Sequence, residues 1–288
     1  MRGEIMPNGK PIEIACVQTP KELIGIKAGV QALFFDVFGK RLNDKAWEHY
    51  YLNSPYGNAA VFIAMVGSRI IAHGGIIPQL LGSVTGESIP YYLQTAIMVD
   101  EKYRNLIVFK KLMDAIHSYV EAKKTFVIAF PNDHSFGPFV KLLKWKKITE
   151  YNISQYEECN SNCSGATGSA GEYRYDIKID RQFLSWRGEL NGIKKEETSN
   201  YKMICKEYEG ALEILYVDGH GIDFREIMKR TAHKRINIPD CFLPYGKMDG
   251  LIRVGQVGIP QRFCAYPGES DKMKYSDIKP SLLLSDVF

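Results

Sequence analysis

Polar and apolar residues alternate from 11 to 18 (PIEIACVQ), the two-residue repeat of a strand with one buried face. The repeat changes at 20–39, where Leu23, Ile26, Val30, Leu33 and Phe34 fall at helical spacing. A first strand leading into one or two helices is expected. In the following WEHYYLNSPYGN, Asn53, Ser54, Pro55 and Gly57 supply turn chemistry ahead of two β-rich runs, 60–66 and 69–77. Gly67-Ser68 between those runs predicts a hairpin. Residues 90–99 (PYYLQTAIMV) read as a long apolar strand, and 106–122 place Phe109, Leu112, Met113, Ile116 and Val120 on one helical face. The continuous apolar run 125–130 (TFVIAF) suits a strand buried on both sides. Strand, helix and strand in that order imply a right-handed crossover joining a parallel pair. Asn132 to Ser135 then read as a turn and helix start, 136–143 as a short helix and 145–156 as a strand.

The stretch 158–172 (ECNSNCSGATGSAGE) is small, polar and poor in apolar residues, as expected of a linker or surface loop. It divides the chain into 1–157 and 173–288. The second part begins with a strand near 173–179, continues through FLSWR at 183–187, and holds a hairpin-like pair near 201–206 and 211–217. An amphipathic helix follows from Asp223 to His233, and the closing SLLLSDVF reads as a last strand. Trp47 before Asn53 and Trp186 before Asn191 echo each other, which fits either a shared ancestral unit or coincidence.

Composition narrows the class. In 288 residues, 45% hydrophobic and 24% charged, there is enough apolar surface for one large core or two medium ones. The net charge of +4 arises from 37 basic and 33 acidic side chains without a long run of one sign, which argues against a nucleic-acid-binding tail. Lys144, Lys146 and Lys147 flank Trp145 and read as a solvated face. No run approaches the ~20 apolar residues needed to span a bilayer, and no basic segment precedes an apolar signal core, so no membrane association and a cytoplasmic setting are expected. Cys16, Cys159, Cys163, Cys205, Cys241 and Cys264 form no CxxC pair and no zinc-spaced cluster with histidine, so no metal is expected. Cys241 has no recognisable base for thiol chemistry, and Gly219-His220-Gly221 does not follow a strand with dinucleotide-binding spacing.

The order from 88 to 145 carries the chemistry. A long strand, Tyr103-Arg104, Phe109 and Leu112 in the helix, then Pro131, Asn132, Ser135, Phe139, Lys141 and Trp145, resemble the GNAT superfamily of N-acyltransferases. The WEHYYLNSPYGN segment is similar to the element preceding the first hairpin in such proteins. The resemblance covers roughly 10–157 and implies an α/β (α+β) GNAT fold, a mixed central sheet with splayed parallel strands. Residues 174–288 more loosely resemble the second half of tandem-GNAT acyltransferases, implying a smaller GNAT-like α+β domain. By this resemblance, Ile97 and Val99 lie on the strand whose backbone bonds the pantetheine arm of acetyl-CoA or another acyl-CoA. Arg104, Asn105, Leu106, Ile107, Val108 and Phe109 cradle its phosphates at the helix start, where free N–H groups suit an anion. Asn132, Ser135 and Phe139 are further cofactor candidates. The family usually has glycine where Ile107 stands, so a side chain there is expected to crowd the phosphates.

Direct attack by an amine on the thioester needs a base and a donor to the developing oxyanion, without a covalent enzyme intermediate. His134 follows the apolar strand and belongs to a residue type that ordinarily titrates near ~6.5; it reads equally as a surface histidine at a helix start. Gln94 and Asp133 are the other catalytic candidates. Tyr50, Asn53, Tyr56, Tyr91, Tyr92 and Trp186 are candidates for lining the acceptor, each with a packing alternative. The tandem resemblance implies a small-molecule amine, best a nucleotide-linked (dTDP or UDP) amino sugar for surface polysaccharide. The alternatives are an antibiotic or polyamine acetyltransferase, a Fem-like transferase using charged tRNA, and a non-catalytic acyl-CoA-binding module. A homodimer stays open.

Overall fold

The computed structural model describes residues 11–159, 172–267 and 274–284. Most of the expected linker, Cys163 and the end of SLLLSDVF lie outside the described residues. The chain opens with β1 (Glu13–Val17) and α1 (Pro20–Phe38). Thr19 and Glu22 close a reciprocal capping box at the helix start, the Thr19 amide donating to Glu22 Oε2 at 3.0 Å, and Gly39 ends the helix at φ 67°. The short α2 (Asp44–Trp47) runs into a π-helical turn over Glu48–Leu52, so the WEHYYL part of the expected turn segment is helical.

Next come β2 (Ala60–Val66), β3 (Arg69–Ser83), β4 (Ser88–Val99), α3 (Leu106–Ala122), β5 (Val127–Ala129), α4 (Asp133–Gly137) and β6 (Lys146–Glu158). A π-helical turn, Pro138–Leu142, extends α4. Beyond the gap lie β7 (Tyr175–Ile177), α5 (Arg181–Asn191), β8 (Lys194–Glu197), β9 (Tyr201–Tyr208), β10 (Ala211–Gly219), β11 (Ile222–Asp223), α6 (Phe224–Arg230), β12 (Arg235–Pro239), β13 (Gly246–Lys247) and β14 (Leu251–Tyr266). The closing strand expected from SLLLSDVF is corrected: Leu282–Leu284 form a 3₁₀ turn. The Leu283 amide donates to Ser281 Oγ and its carbonyl accepts from Arg187 Nε at 2.7 Å, which ties this turn to α5.

One mixed sheet carries most strands in the order β1-β2-β3-β4-β5-β14-β6-β12-β10-β9-β8, with β7 paired to β3. The first four are antiparallel neighbours, and β4 and β5 are parallel. Strand β14 enters from late in the chain and lies between β5 and β6, antiparallel to both. On one face α3 buries Val108, Leu112, Met113, Ile116 and Val120. On the other face α1, α5 and the π turn pack Leu23, Val30, Trp47, Tyr51, Phe183 and Trp186. A third cluster surrounds α6 with Phe224, Ile227 and Phe242.

The echo between the halves is topological. An antiparallel β9–β10 pair, the crossover helix α6 and β12 parallel to β10 repeat β3–β4, α3 and β5. In each, the parallel partners meet at only two residue pairs and the preceding strand bulges soon afterwards. Trp186 also comes close to the Trp47 region, stacking on His49 with centroids 4.8 Å apart and donating Nε1–H to the His49 carbonyl at 3.0 Å.

Candidate functional site

Strand β4 pairs with β3 along its length but with β5 only at Tyr92 and Leu93, opposite Val127 and Ile128. From Gln94 to Val99 it has no ladder partner on the β5 side. The divergence coincides with a β-bulge: His73 stands opposite Met98 and Gly75 opposite Thr95, so Ala96 and Ile97 together face Gly74. Ala96 takes φ 43°, a left-handed conformation that costs a residue with a Cβ. Side chains knit the bulge to β3. Gln94 Nε2 donates to the Gly75 carbonyl at 2.8 Å, Thr95 Oγ1 donates to the same oxygen at 3.3 Å, and the Tyr51 hydroxyl lies 3.5 Å from Thr95 Oγ1. Gln94 Oε1 is buried without a hydrogen-bond partner among the described residues.

Helix α3 begins just past the end of β4, on the side of the opening. Asn105 caps it, its Oδ1 accepting from the Val108 amide at 2.9 Å, while the Phe109 amide reaches the Asn105 carbonyl at 3.3 Å. The amides of Leu106 and Ile107 are the helix's first two, which no preceding turn can satisfy. The first turn holds no acidic residue, and Arg104 lies exposed beside it. Val108 is the residue of this turn that enters the core, whereas Ile107 is 46% exposed and points away from it. The first amides of α3 and the Arg104 guanidinium have the donor chemistry that fits a diphosphate.

After β5, Asn132 caps α4, accepting from the Ser135 amide at 3.1 Å, and Ser135 Oγ donates to Asn132 Oδ1 at 3.0 Å. Asp133 is ion-paired with Arg262, which β14 brings in from late in the chain. The same guanidinium sits 4.8 Å over the Phe136 ring and 3.6 Å from Glu150, tying α4 to the sheet. His134 is exposed on α4. Phe139 is 2% exposed and packs between Phe109 and Trp145, with centroids 6.3 and 4.6 Å away, so its side chain belongs to the core. Ile97 and Val99 flank the opening on β4.

The acceptor candidates separate. Tyr50, Tyr91 and Trp186 are buried; Tyr91 stacks on Phe126 and Tyr50 packs edge-on to Trp186. Tyr92 faces the other way, its hydroxyl 3.5 Å from that of Tyr119 under α3. Tyr56 donates to the Lys178 carbonyl and Asp180, each at 3.1 Å, and Asn53 is exposed. Cys241 is an inert thiol, pushed up to about 12 by burial. A cavity of about 480 Å³ opens at the opposite end of β4, bordered by Ser83, Asp176, Asp218, His220 and Lys279. Lys279 bridges its two carboxylates at 3.4 and 3.2 Å, offsetting one of their two charges.

The second half repeats the opening but fills it. The residues before α6 form β11, which pairs with β13, and Phe224 at the helix start is fully buried. A Cβ on Gly246 would lie 2.5 Å from the Phe224 ring, so glycine is needed to close this packing. Glu226 adds negative charge to the first turn. The first turn of α3 thus lacks acidic residues, whereas that of α6 holds Glu226 and is packed by Phe224. Sequence reasoning missed His73, Tyr51 and Arg262; a histidine inside the apolar run of β3 was the available signal, and Arg262 offered none.

No protein-family model matches the sequence, and no curated protein sequence matches it. Solved structures do. A GCN5-related N-acetyltransferase from Kribbella flavida aligns over 88% of this chain and 71% of its own, at TM-score 0.60 and 10% identity. Eis1 from Mycobacterium abscessus aligns over 87% and 72%, at 0.58 and 9%. A GCN5-related N-acetyltransferase from Anabaena variabilis aligns over 88% and 72%, at 0.56 and 8%. The chain thus has the mixed α/β fold of the GNAT acetyltransferases, and the match spans both halves.

Proposed function

We propose that this chain is an acyl-CoA-dependent N-acyltransferase acting on the amine of a small molecule. The observation that carries the reading is the parting of β4 from β5 after Leu93, beside a helix start with free amides and no acidic residue. Coenzyme A fits there. The strand backbone at Ile97 and Val99 would hold the pantetheine amides, and Leu106 and Ile107 amides with Arg104 would hold the diphosphate. When bound, the thioester supplies an activated acyl group.

The protein's own part is orientation and proton handling. The Ala96 and Ile97 amides stand outside the regular ladder register and would donate to a carbonyl oxygen as its charge develops. The attacking amine must be neutral, and we assign removal of its proton to His134, exposed on α4 at the end of β5. Gln94, buried and fixed to Gly75, would orient the reacting groups through its unpartnered oxygen. Asp133, held by Arg262, steadies α4 in this reading.

For the acceptor we favour a nucleotide-linked amino sugar, with Asn53 the most accessible of the proposed lining residues. Acyl-CoA is a cytoplasmic reagent, which favours that setting. A thiol-release assay with acetyl-CoA over dTDP- and UDP-amino sugars, aminoglycosides and polyamines tests the reading. Release with amino sugars supports it, and release only with aminoglycosides or polyamines replaces the acceptor class. Transfer from charged tRNA with none from acyl-CoA would overturn the cofactor, and CoA binding without release from any amine would leave a binding module.

A further inference from the structure

The bulge in β4 creates a carbonyl that the β3–β4 register does not serve, and one buried side chain meets it. Ala96 has no residue directly opposite it in β3, and its oxygen lies 2.7 Å from Nδ1 of His73. A carbonyl only accepts, so Nδ1 must carry the proton. His73 is 0% exposed and is held neutral by burial, which leaves Nε2 a bare acceptor; no donor reaches it among the described residues. The ring is fixed from the side by Tyr51, edge-on at 5.7 Å, and Tyr51 also reaches Thr95 on the near side of the bulge. A buried imidazole with one nitrogen unpaired is a poor choice for stability alone.

We infer that His73 is a positioning residue: through its bond to the Ala96 carbonyl it holds the left-handed turn at Ala96, and thereby aims the Ala96 and Ile97 amides at the opening between β4 and β5. The imidazole touches neither cofactor nor acceptor; its effect on turnover passes through the backbone of the bulge. This rests on the proposed acyltransferase reading, from which its test can be separated.

Two variants and a spectrum test it. His73→Phe removes the donor while keeping a ring in the core, and His73→Asn returns an N–H close to the position of Nδ1. The inference predicts a fall in kcat of at least tenfold in His73→Phe, CoA affinity within about threefold of the parent, and recovery of most of that loss in His73→Asn. Nitrogen-15 spectra of the parent protein should show His73 as the Nδ1-protonated tautomer. That readout needs no turnover and no folded variant. Wild-type kcat in His73→Phe, or a folded His73→Asn no better than His73→Phe, would overturn the inference, as would the Nε2-protonated tautomer. An active parent with the wrong tautomer sinks this inference alone. A parent that transfers no acyl group whatever the amine sinks the functional reading, and the positioning role of His73 with it.

Discussion

Two buried imidazoles, His73 beneath β4 and His117 beneath Trp145, are both depressed to about 4, chiefly by loss of solvent. His117 Nε2 accepts from the Trp145 indole at 2.8 Å, which requires that nitrogen unprotonated. The unfolded chain takes up protons near ~6.5 that the folded chain refuses until about 4. Stability present above pH 6.5 should therefore decline as the pH falls through that window, by up to about 3 kcal/mol for the fully buried His73. Urea unfolding from pH 7 to 4.5 measures this, and the decline should be shallower in His117→Gln, which can still accept from Trp145 but does not titrate. Gly75 is constrained by space: a Cβ there would lie 2.6 Å from the Tyr51 ring and 2.8 Å from Thr95 Oγ1. Gly75→Ala should cost about 1–3 kcal/mol in the same experiment. His134→Ala should lower turnover clearly with little change in CoA affinity, and unchanged kcat would remove His134 from the mechanism. At this scale the sequence was a partial guide. The helix starts near 106 and 132–135 were legible because helix-start signals are local, whereas the link between His73 and Ala96 depends on how two strands slip past one another.

Helix α3 is the element best read in advance, because its five expected core residues repeat at helical spacing and its two ends need no distant partner. Strand β14 is the opposite case. Its burial follows no two-residue alternation, with Leu251 buried, the next several residues largely exposed, and Phe263 to Ala265 buried again, so no periodic signal marked it. The 3₁₀ turn at Leu282–Leu284 defeated the strand reading for a related reason: three consecutive leucines reveal burial but not backbone geometry. The functional claim for α3 concerns its first turn. Ile107→Glu puts a carboxylate beside the helix's free amides, which should stabilise an isolated helix end by about 0.3–1 kcal/mol. If the turn holds a diphosphate, the same change should weaken CoA binding at least tenfold while leaving the melting temperature equal or higher. Weaker binding with a lower melting temperature would point to damage instead.

Across the whole molecule, β14 joins the beginning of the chain to its end. It supplies the neighbour that β5 and β6 share, and it delivers Arg262 to Asp133 at the start of α4. A fragment ending at residue 157 would leave β5 and β6 without that neighbour and Asp133 without its partner. Such a fragment is expected to show no cooperative thermal transition by circular dichroism, while the full chain unfolds in one. The strand-helix-strand order was enough to expect a parallel pair in the first half, and the family resemblance to expect its splay. What local pattern could not convey is that the second half repeats the arrangement and then fills it with Phe224 and the β11–β13 pair. The central claim, that one of two similar openings admits a cofactor, is tested most directly by hydrogen exchange with and without CoA. Slowed exchange in peptides covering 94–109, with none across 222–230, is the expected result; no protection at 94–109, or protection at 222–230 instead, would contradict it.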